Sequence, residues 1–175
     1  MKKSRLIVIV LIFAFGASLL CASVVLYKRT GVATVGQKAP DFSCPDLTGK
    51  TFSLSQMKGQ FIILNFFTTW CPPCREEIPE LQKFREKYGN DVRFFYVNRG
   101  EPELLVKQFV RDFKISSTVL MDKNDHLSAE YGVTGQPETF FIDENGTIRE
   151  HVVGPMRKEE LENRLKKYSS HLLEK

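Results

Sequence analysis

Apolar residues fall along this chain in three rhythms. The first is unbroken: no charged residue occurs from Leu6 to Tyr27. At ~1.5 Å rise per residue, a helix of that length crosses a ~30 Å hydrocarbon core. The second is short and continuous. "QFIILNFF" (60–67) mixes β-branched and aromatic residues without a polar break until Asn65, the pattern of a strand buried on both faces. "VRFFYVN" (92–98) and "STVLMD" (117–122) repeat it. The third has helical spacing. Ile78, Leu81, Phe84 and Tyr88 lie three, three and four residues apart, with Gly89 following as a stop. "EPELLVKQFVRDF" (101–113) predicts a helix with Pro102 near its start. "HLSAEYGV" (126–133) predicts a short helix ended by Gly132, and "RKEELENRLKKYSSHLL" (157–173) an amphipathic helix.

Two hairpins complete the pattern. "DFSCPDLTGKTFSLSQMKG" (41–59) reads as two short strands about Asp46-Leu47-Thr48-Gly49, then a connector. "ETFFIDENGTIREHVVG" (138–154) reads as a hairpin with a two-residue turn at Asn145-Gly146. No internal repeat or low-complexity tract is present. The order β-α-β-α-β-(α)-β-β-α predicts an α/β domain. Its central mixed sheet has helices on both faces, an antiparallel hairpin at one edge and a small hairpin at its N-terminal end.

Charge sharpens the division of the chain. Lys2, Lys3 and Arg5 precede the apolar run, and no acid occurs before Asp41. With those three bases set aside, the 25 bases and 21 acids are nearly balanced, which leaves no electrostatic footprint for nucleic acid. The apolar stretch is longer than the roughly 7–15 residues of a cleavable signal, which favours a retained anchor. Gly31-Val32-Ala33 offers an alternative cleavage site, whereas Leu20 is too large for a lipoprotein site ahead of Cys21. Lys2, Lys3 and Arg5 against Lys28 and Arg29 give a thin positive-inside bias, with the N-terminus in the cytoplasm and the domain outside. The expected organisation is therefore a cytoplasmic tip and transmembrane signal-anchor at 1–29, a tether at 30–38, and a folded domain at 39–175.

The candidate chemistry lies in "TWCPPC" (69–74), between the first buried strand and the first long helix. Free N–H groups and the helix dipole at such an N-terminus favour an anion. A Cys71 thiolate is one, so its pKa should fall below the free value of ~8.5. Pro72 and Pro73 suit the first helical positions, where an N–H would have no partner. Cys74, three residues on, returns to the same face within disulfide reach. Two thiol–disulfide exchanges follow: Cys71 attacks a substrate disulfide, and Cys74 resolves the mixed disulfide. C-x-x-C is also half of a zinc site. A second cysteine pair and an H-x-x-x-H cluster are both missing, so the context favours redox chemistry and no metal.

These residues resemble the thioredoxin superfamily, in its membrane-anchored TlpA-like branch, and within that the ResA-type thiol-disulfide oxidoreductases. The resemblance is carried by "GQKAPDFSCPDLTGKTFSLSQMKGQFIILNFFTTWCPPCREEIPEL", "FFYVNRGEPELLVKQF" and "YGVTGQPETFFIDENGTI", roughly 36–168. It implies a thioredoxin-like fold, an exposed nucleophile at Cys71 and a resolving thiol at Cys74. It also implies a cis-proline at Pro137, packed opposite the disulfide and turning the Gln136 backbone toward a substrate strand. The position of Asn65 carries an Asp in thioredoxins proper; an amide cannot act as base. Glu77 shares a helix face with Cys74 and, by the resemblance, borders the site, where it would exchange a proton with Cys74. The alternative for Glu77 is a solvated surface carboxylate. Trp70 is expected both to pack and to act as a lid on the cysteine.

Two positions depart from the pattern: Glu138, where Thr commonly follows the proline, and the Pro-Pro dipeptide in place of Glu-Pro. Cys44 reads as a buried free thiol, Pro79 as a kink in the first helix, and His126, His151 and His171 as scattered residues without a role. The resemblance further implies a disulfide-containing client, apocytochrome c at its C-x-x-C-H motif, and a membrane electron donor of the CcdA type. No cofactor is implied, and nothing demands more than a monomer. The alternatives are a sporulation-type or general extracytoplasmic reductase and, from another class, a metal or haem chaperone that uses the two thiols as ligands. A peroxidase fits poorly, since the P-x-x-x-T-x-x-C motif is absent.

Overall fold

The computed structural model describes residues 15–16 and 32–169. The expected cytoplasmic tip and membrane span therefore lie outside the described residues, apart from the helical Phe15 and Gly16. Among the described residues no helix is long and apolar enough to cross a membrane. The chain divides into two units between Gly31 and Val32, and the fold lies in the second.

That unit runs β1 (Ser43–Pro45), β2 (Thr51–Ser53), β3 (Phe61–Phe67), α1 (Pro72–Tyr88), β4 (Val92–Arg99), α2 (Glu103–Asp112), β5 (Thr118–Asp122), α3 (His126–Glu130), β6 (Glu138–Ile142), β7 (Ile148–Val153) and α4 (Lys158–Tyr168). A single 3-10 turn, Leu54–Met57, fills the connector before β3. The main sheet has the order β5-β4-β3-β6-β7. β3, β4 and β5 are parallel, β6 runs antiparallel to β3, and β7 antiparallel to β6. Parallel neighbours need crossover connections, which α1 and α2 supply. β1 and β2 form a separate two-stranded hairpin with Cys44 opposite Phe52.

β3 occupies the centre of the sheet, and all seven of its residues are buried. Its two-residue alternation sorts them onto opposite faces. Phe61, Ile63 and Phe67 join Ile78, Leu81 and Phe84 of α1 and Leu161 and Leu165 of α4. Ile62, Leu64 and Phe66 join Phe42, Leu54, Met57 and Leu127 on the other side. The same alternation puts Asn65 on the face toward α1, the one polar position in an otherwise apolar strand. Each fully buried aromatic or branched side chain contributes ~1.5–3 kcal/mol relative to exposure.

One local expectation needs correction, and three details extend the others. The β6–β7 turn is longer than two residues: it spans 143–147, and a register shift lies between Phe141 and Ile142. Asp143 is the cause. Its Oδ1 accepts the N–H groups of Asn145 at 3.0 Å and Thr147 at 2.8 Å, while Gly146 takes the left-handed conformation at φ 74°. Gly89 caps α1 without a left-handed turn, at φ −66°. A side chain there is excluded by proximity instead, because a Cβ would lie 2.5 Å from the Arg85 carbonyl oxygen. α1 runs continuously from Pro72 to Tyr88, with Pro79 inside it. Finally, the described part of the expected tether is bonded to the domain. Ala33 N–H donates to Glu130 O at 3.0 Å, Gly36 N–H to Ile148 O at 2.8 Å, and Lys38 bridges to Thr147. Residues 36–38 thus bond along the start of β7, and Ala33 to the end of α3.

Candidate active site at the N-terminus of the first long helix

Cys71 is the N-cap of α1, with an extended backbone (φ −79°, ψ 113°), and Pro72 and Pro73 fill the first two helical positions. Its Sγ accepts the Cys74 N–H at 3.2 Å, one of the donors that the helix start leaves without a partner. Cys71 and Cys74 are joined by a disulfide, with Cα atoms 5.3 Å apart. The bond is less open than the resemblance implies: Cys71 is 3% exposed and Cys74 fully buried. Trp70 corrects another expectation. At 66% exposed it packs little and stands in solvent beside the disulfide.

The loop Thr134–Pro137 approaches from β6. Its Gln136–Pro137 peptide bond is cis, and the Gln136 carbonyl oxygen lies 3.6 Å from Cys71 Sγ. Anchors reach this loop from several elements. Oε1 of the buried Glu138 accepts the N–H groups of Thr134 (2.9 Å) and Gly135 (2.7 Å), and its Oε2 pairs with His151 Nε2 at 2.6 Å. The His151 ring stacks on Phe140, centroids 4.1 Å apart. From the end of β4, Arg99 Nη1 donates to Gly135 O (3.3 Å) and Gln136 Oε1 (3.2 Å). Gln136 Nε2 donates to Thr68 Oγ1 at 3.3 Å, and Gly154 N–H to Pro137 O at 2.9 Å.

Beneath the disulfide is a buried polar cluster. Helical spacing carries the buried face of α1 from Cys74 to Glu77, and the alternation of β3 brings Asn65 to meet it. Glu77 is 3% exposed. Its Oε1 accepts Asn65 Nδ2 at 2.8 Å, and its Oε2 accepts the Met156 N–H at 3.0 Å. Asn65 Nδ2 also donates to Thr139 Oγ1 at 3.0 Å. Burial pushes the Glu77 carboxyl up to about 7, against the opposing effect of the Asn65 and Met156 hydrogen bonds. Burial, and then the Glu77 charge, also raises the Tyr96 phenol. The Tyr96 hydroxyl and Asn65 Oδ1 lack hydrogen-bond partners. Glu77 is therefore a buried carboxyl that titrates near neutrality, and the solvated-surface alternative is discarded.

Comparison with known proteins decides the family. The AhpC/TSA family matches residues 35–151. The chain is 35% identical over 170 residues to "Thiol-disulfide oxidoreductase ResA" of Bacillus thuringiensis (strain Al Hakam), covering 95% of this chain and 98% of that protein. The chain belongs to the ResA-type thiol-disulfide oxidoreductases of the AhpC/TSA family. It is also 38% identical over 141 residues to "Thioredoxin-like protein YneN" of Bacillus subtilis (strain 168), 79% of this chain and 82% of that one. A solved thiol:disulfide interchange protein of the thioredoxin family from Chlorobium tepidum TLS superposes with a TM-score of 0.69 at 31% identity, over 78% of this chain and 99% of its own.

Membership in this thiol-disulfide oxidoreductase family accounts for the Cys71–Cys74 pair and its neighbours. The structure brings Trp70, Cys71, Cys74, Gln136 and Pro137 to one end of the sheet, with Glu77 beneath. Sequence reasoning missed Arg99, Thr68 and Met156, and gave His151 no role. Only Glu138 left a trace in the sequence, as an acid where Thr is usual. Cys44 is a buried free thiol, as expected; burial and then the Asp122 charge push it up to about 12. Among the described residues no group of three or more His, Cys, Asp or Glu side chains is placed to hold a metal ion. A cavity of about 470 Å³ lies beside Ile62 at the opposite end of β3 and includes none of the disulfide-site residues.

Proposed function

We propose that this thiol-disulfide oxidoreductase works as an extracytoplasmic reductase, anchored by its N-terminal segment with the N-terminus in the cytoplasm. Its client is the disulfide of the haem-binding C-x-x-C-H motif of apocytochrome c. The observation that carries the proposal is Cys71 Sγ at the N-cap of α1, accepting the Cys74 N–H beside the cis Gln136–Pro137 bond. In the reduced protein, that N–H and the helix dipole favour the Cys71 thiolate. The thiolate attacks one client sulfur, the client disulfide breaks, and a client thiolate leaves. Cys74 then gives up its proton and attacks Cys71 Sγ. The mixed disulfide breaks, the second client thiolate leaves, and Cys71–Cys74 is oxidised as the client gains two electrons.

Glu77 is the group proposed to take the Cys74 proton. A carboxyl titrating near 7 is matched to proton transfer at neutral pH. A membrane dithiol donor of the CcdA type would reduce the pair again. Trp70, Gln136 and Pro137 form the surface that meets the client.

The test uses the full-length protein, reduced and freed of reductant, with an oxidised peptide containing one C-x-x-C-H motif. The expected result is one peptide disulfide reduced per Cys71–Cys74 disulfide formed. Turnover that persists in Cys71→Ser, or net transfer of the disulfide from protein to reduced peptide, rules the proposal out.

A further inference from the structure

We infer that Arg99 and Glu138 are positioning residues for the Gln136 peptide that the thioredoxin resemblance turns toward a client strand: they hold the Thr134–Gln136 backbone from two sides, so that recognition of a polypeptide client depends on them, an inference that rests on the exchange chemistry proposed above. The hydrogen-bond accounting of the loop leads there. Glu138 takes the N–H groups of Thr134 and Gly135. Arg99 takes the carbonyl of Gly135, and Gly154 takes that of Pro137. Among the described residues the Gln136 N–H makes no hydrogen bond, and its carbonyl faces Cys71 Sγ. Across Gly135–Pro137 the other main-chain polar groups are engaged, which leaves one donor and one acceptor on a single residue. That is the pairing unit of an added β-strand.

The side chain of Gln136 is also accounted for. Arg99 Nη1 holds its Oε1 and Thr68 its Nε2, which ties the side chain to the ends of β4 and β3. Glu138 is 1% exposed, and a buried carboxylate persists only when its oxygens are satisfied. Here it has two main-chain N–H groups, the Thr134 hydroxyl at 3.3 Å and His151. Arg99 is held in turn by Asp125, with Nε 3.6 Å from Oδ1. The free peptide edge has apolar neighbours. Trp70 precedes Cys71, and Val153, opposite Glu138 in the β6–β7 register, is 72% exposed. An extended polypeptide with apolar side chains near its disulfide suits this arrangement. A small disulfide without a peptide backbone gains nothing from it.

The experiment compares two oxidants of the reduced full-length protein. One is a ten-residue peptide with an oxidised C-x-x-C-H motif; the other is hydroxyethyl disulfide. The readout is the ratio of the second-order rate constants with which the two oxidise the Cys71/Cys74 dithiol in a single turnover. Arg99→Ala and Glu138→Ala are expected to lower that ratio, peptide over hydroxyethyl disulfide, about tenfold. Glu138→Gln keeps a carbonyl for the two N–H groups and is expected to restore most of the ratio. Should an alanine variant fail to fold, Arg99→Lys serves instead. It keeps a cation near Asp125 but lacks the fork that reaches both Gly135 O and Gln136 Oε1, so the ratio should again fall. A ratio unchanged in these variants, or equal losses with both disulfides, overturns the inference. Turnover of both disulfides by Cys71→Ser would instead sink the exchange chemistry itself.

Discussion

Replacing Glu77 by Gln tests the buried cluster beneath the disulfide. The substitution removes the charge but keeps the size, and an amide oxygen still accepts the Met156 N–H. Asn65 can turn its amide so that Oδ1, unpartnered in the native cluster, accepts from the new Gln. The wild-type carboxyl holds its proton up to about 7 in the folded protein, against an ordinary 4.5. Between those two values the folded state binds more protons than the unfolded chain, so stability falls as pH rises through the window and levels off above it. At ~1.4 kcal/mol per pH unit, the fall amounts to ~3 kcal/mol. Urea unfolding of the oxidised protein isolates this effect, because the disulfide removes both thiols from titration. The Gln variant should lack the fall, so the difference between the two proteins should shift by ~3 kcal/mol in its favour from about pH 4 to about pH 8. Parallel stability profiles across that range would refute a buried carboxyl titrating near neutrality.

The remaining expectations concern the thiols and the core. Cys74→Ser should accumulate a mixed disulfide with the peptide client, seen as one added peptide by intact mass, and Cys71→Ser should not. In reduced protein, the pH profile of iodoacetamide alkylation should place the Cys71 pKa below the free value of ~8.5; Glu77→Gln should shift the thiol titrations, whereas superimposable curves would remove Glu77 from the proton path. Phe66, fully buried and in ring contact with Tyr131 and Phe140, should cost ~3–5 kcal/mol of stability on change to Ala in urea unfolding.

Much of the fold is legible in the sequence because its signals are local. A short run such as Phe61–Phe67, rich in β-branched and aromatic residues, fits a strand in the middle of a sheet, and the Pro-Pro pair marks where α1 starts. The order of elements then leaves few topologies. The site is legible in part: Cys71 and Cys74 follow from spacing, helix spacing puts Glu77 on the Cys74 face, and the resemblance supplies its place at the site and those of Gln136 and Pro137. What escapes depends on strand order. Arg99 reaches the cis-proline loop only because the ends of β4 and β3 lie side by side with it. His151 meets Glu138 only because β7 folds back on β6. The Asp143 turn escapes for another reason, since its side chain captures two N–H groups and lengthens a turn that Asn145-Gly146 alone would make in two residues. Trp70 shows the limit of composition, because a large aromatic promises burial and this one stands in solvent.

Cys71 is at once the reacting atom and the cap of α1, and the two duties are thermodynamically one. A thiolate accepts the Cys74 N–H more strongly than a disulfide sulfur does. Around the cycle that links folded and unfolded chains in both oxidation states, any preference of the fold for the dithiol must reappear as voltage, making the folded couple the stronger electron acceptor. Adjusting the first turn of this helix is therefore also a way of retuning the half-cell.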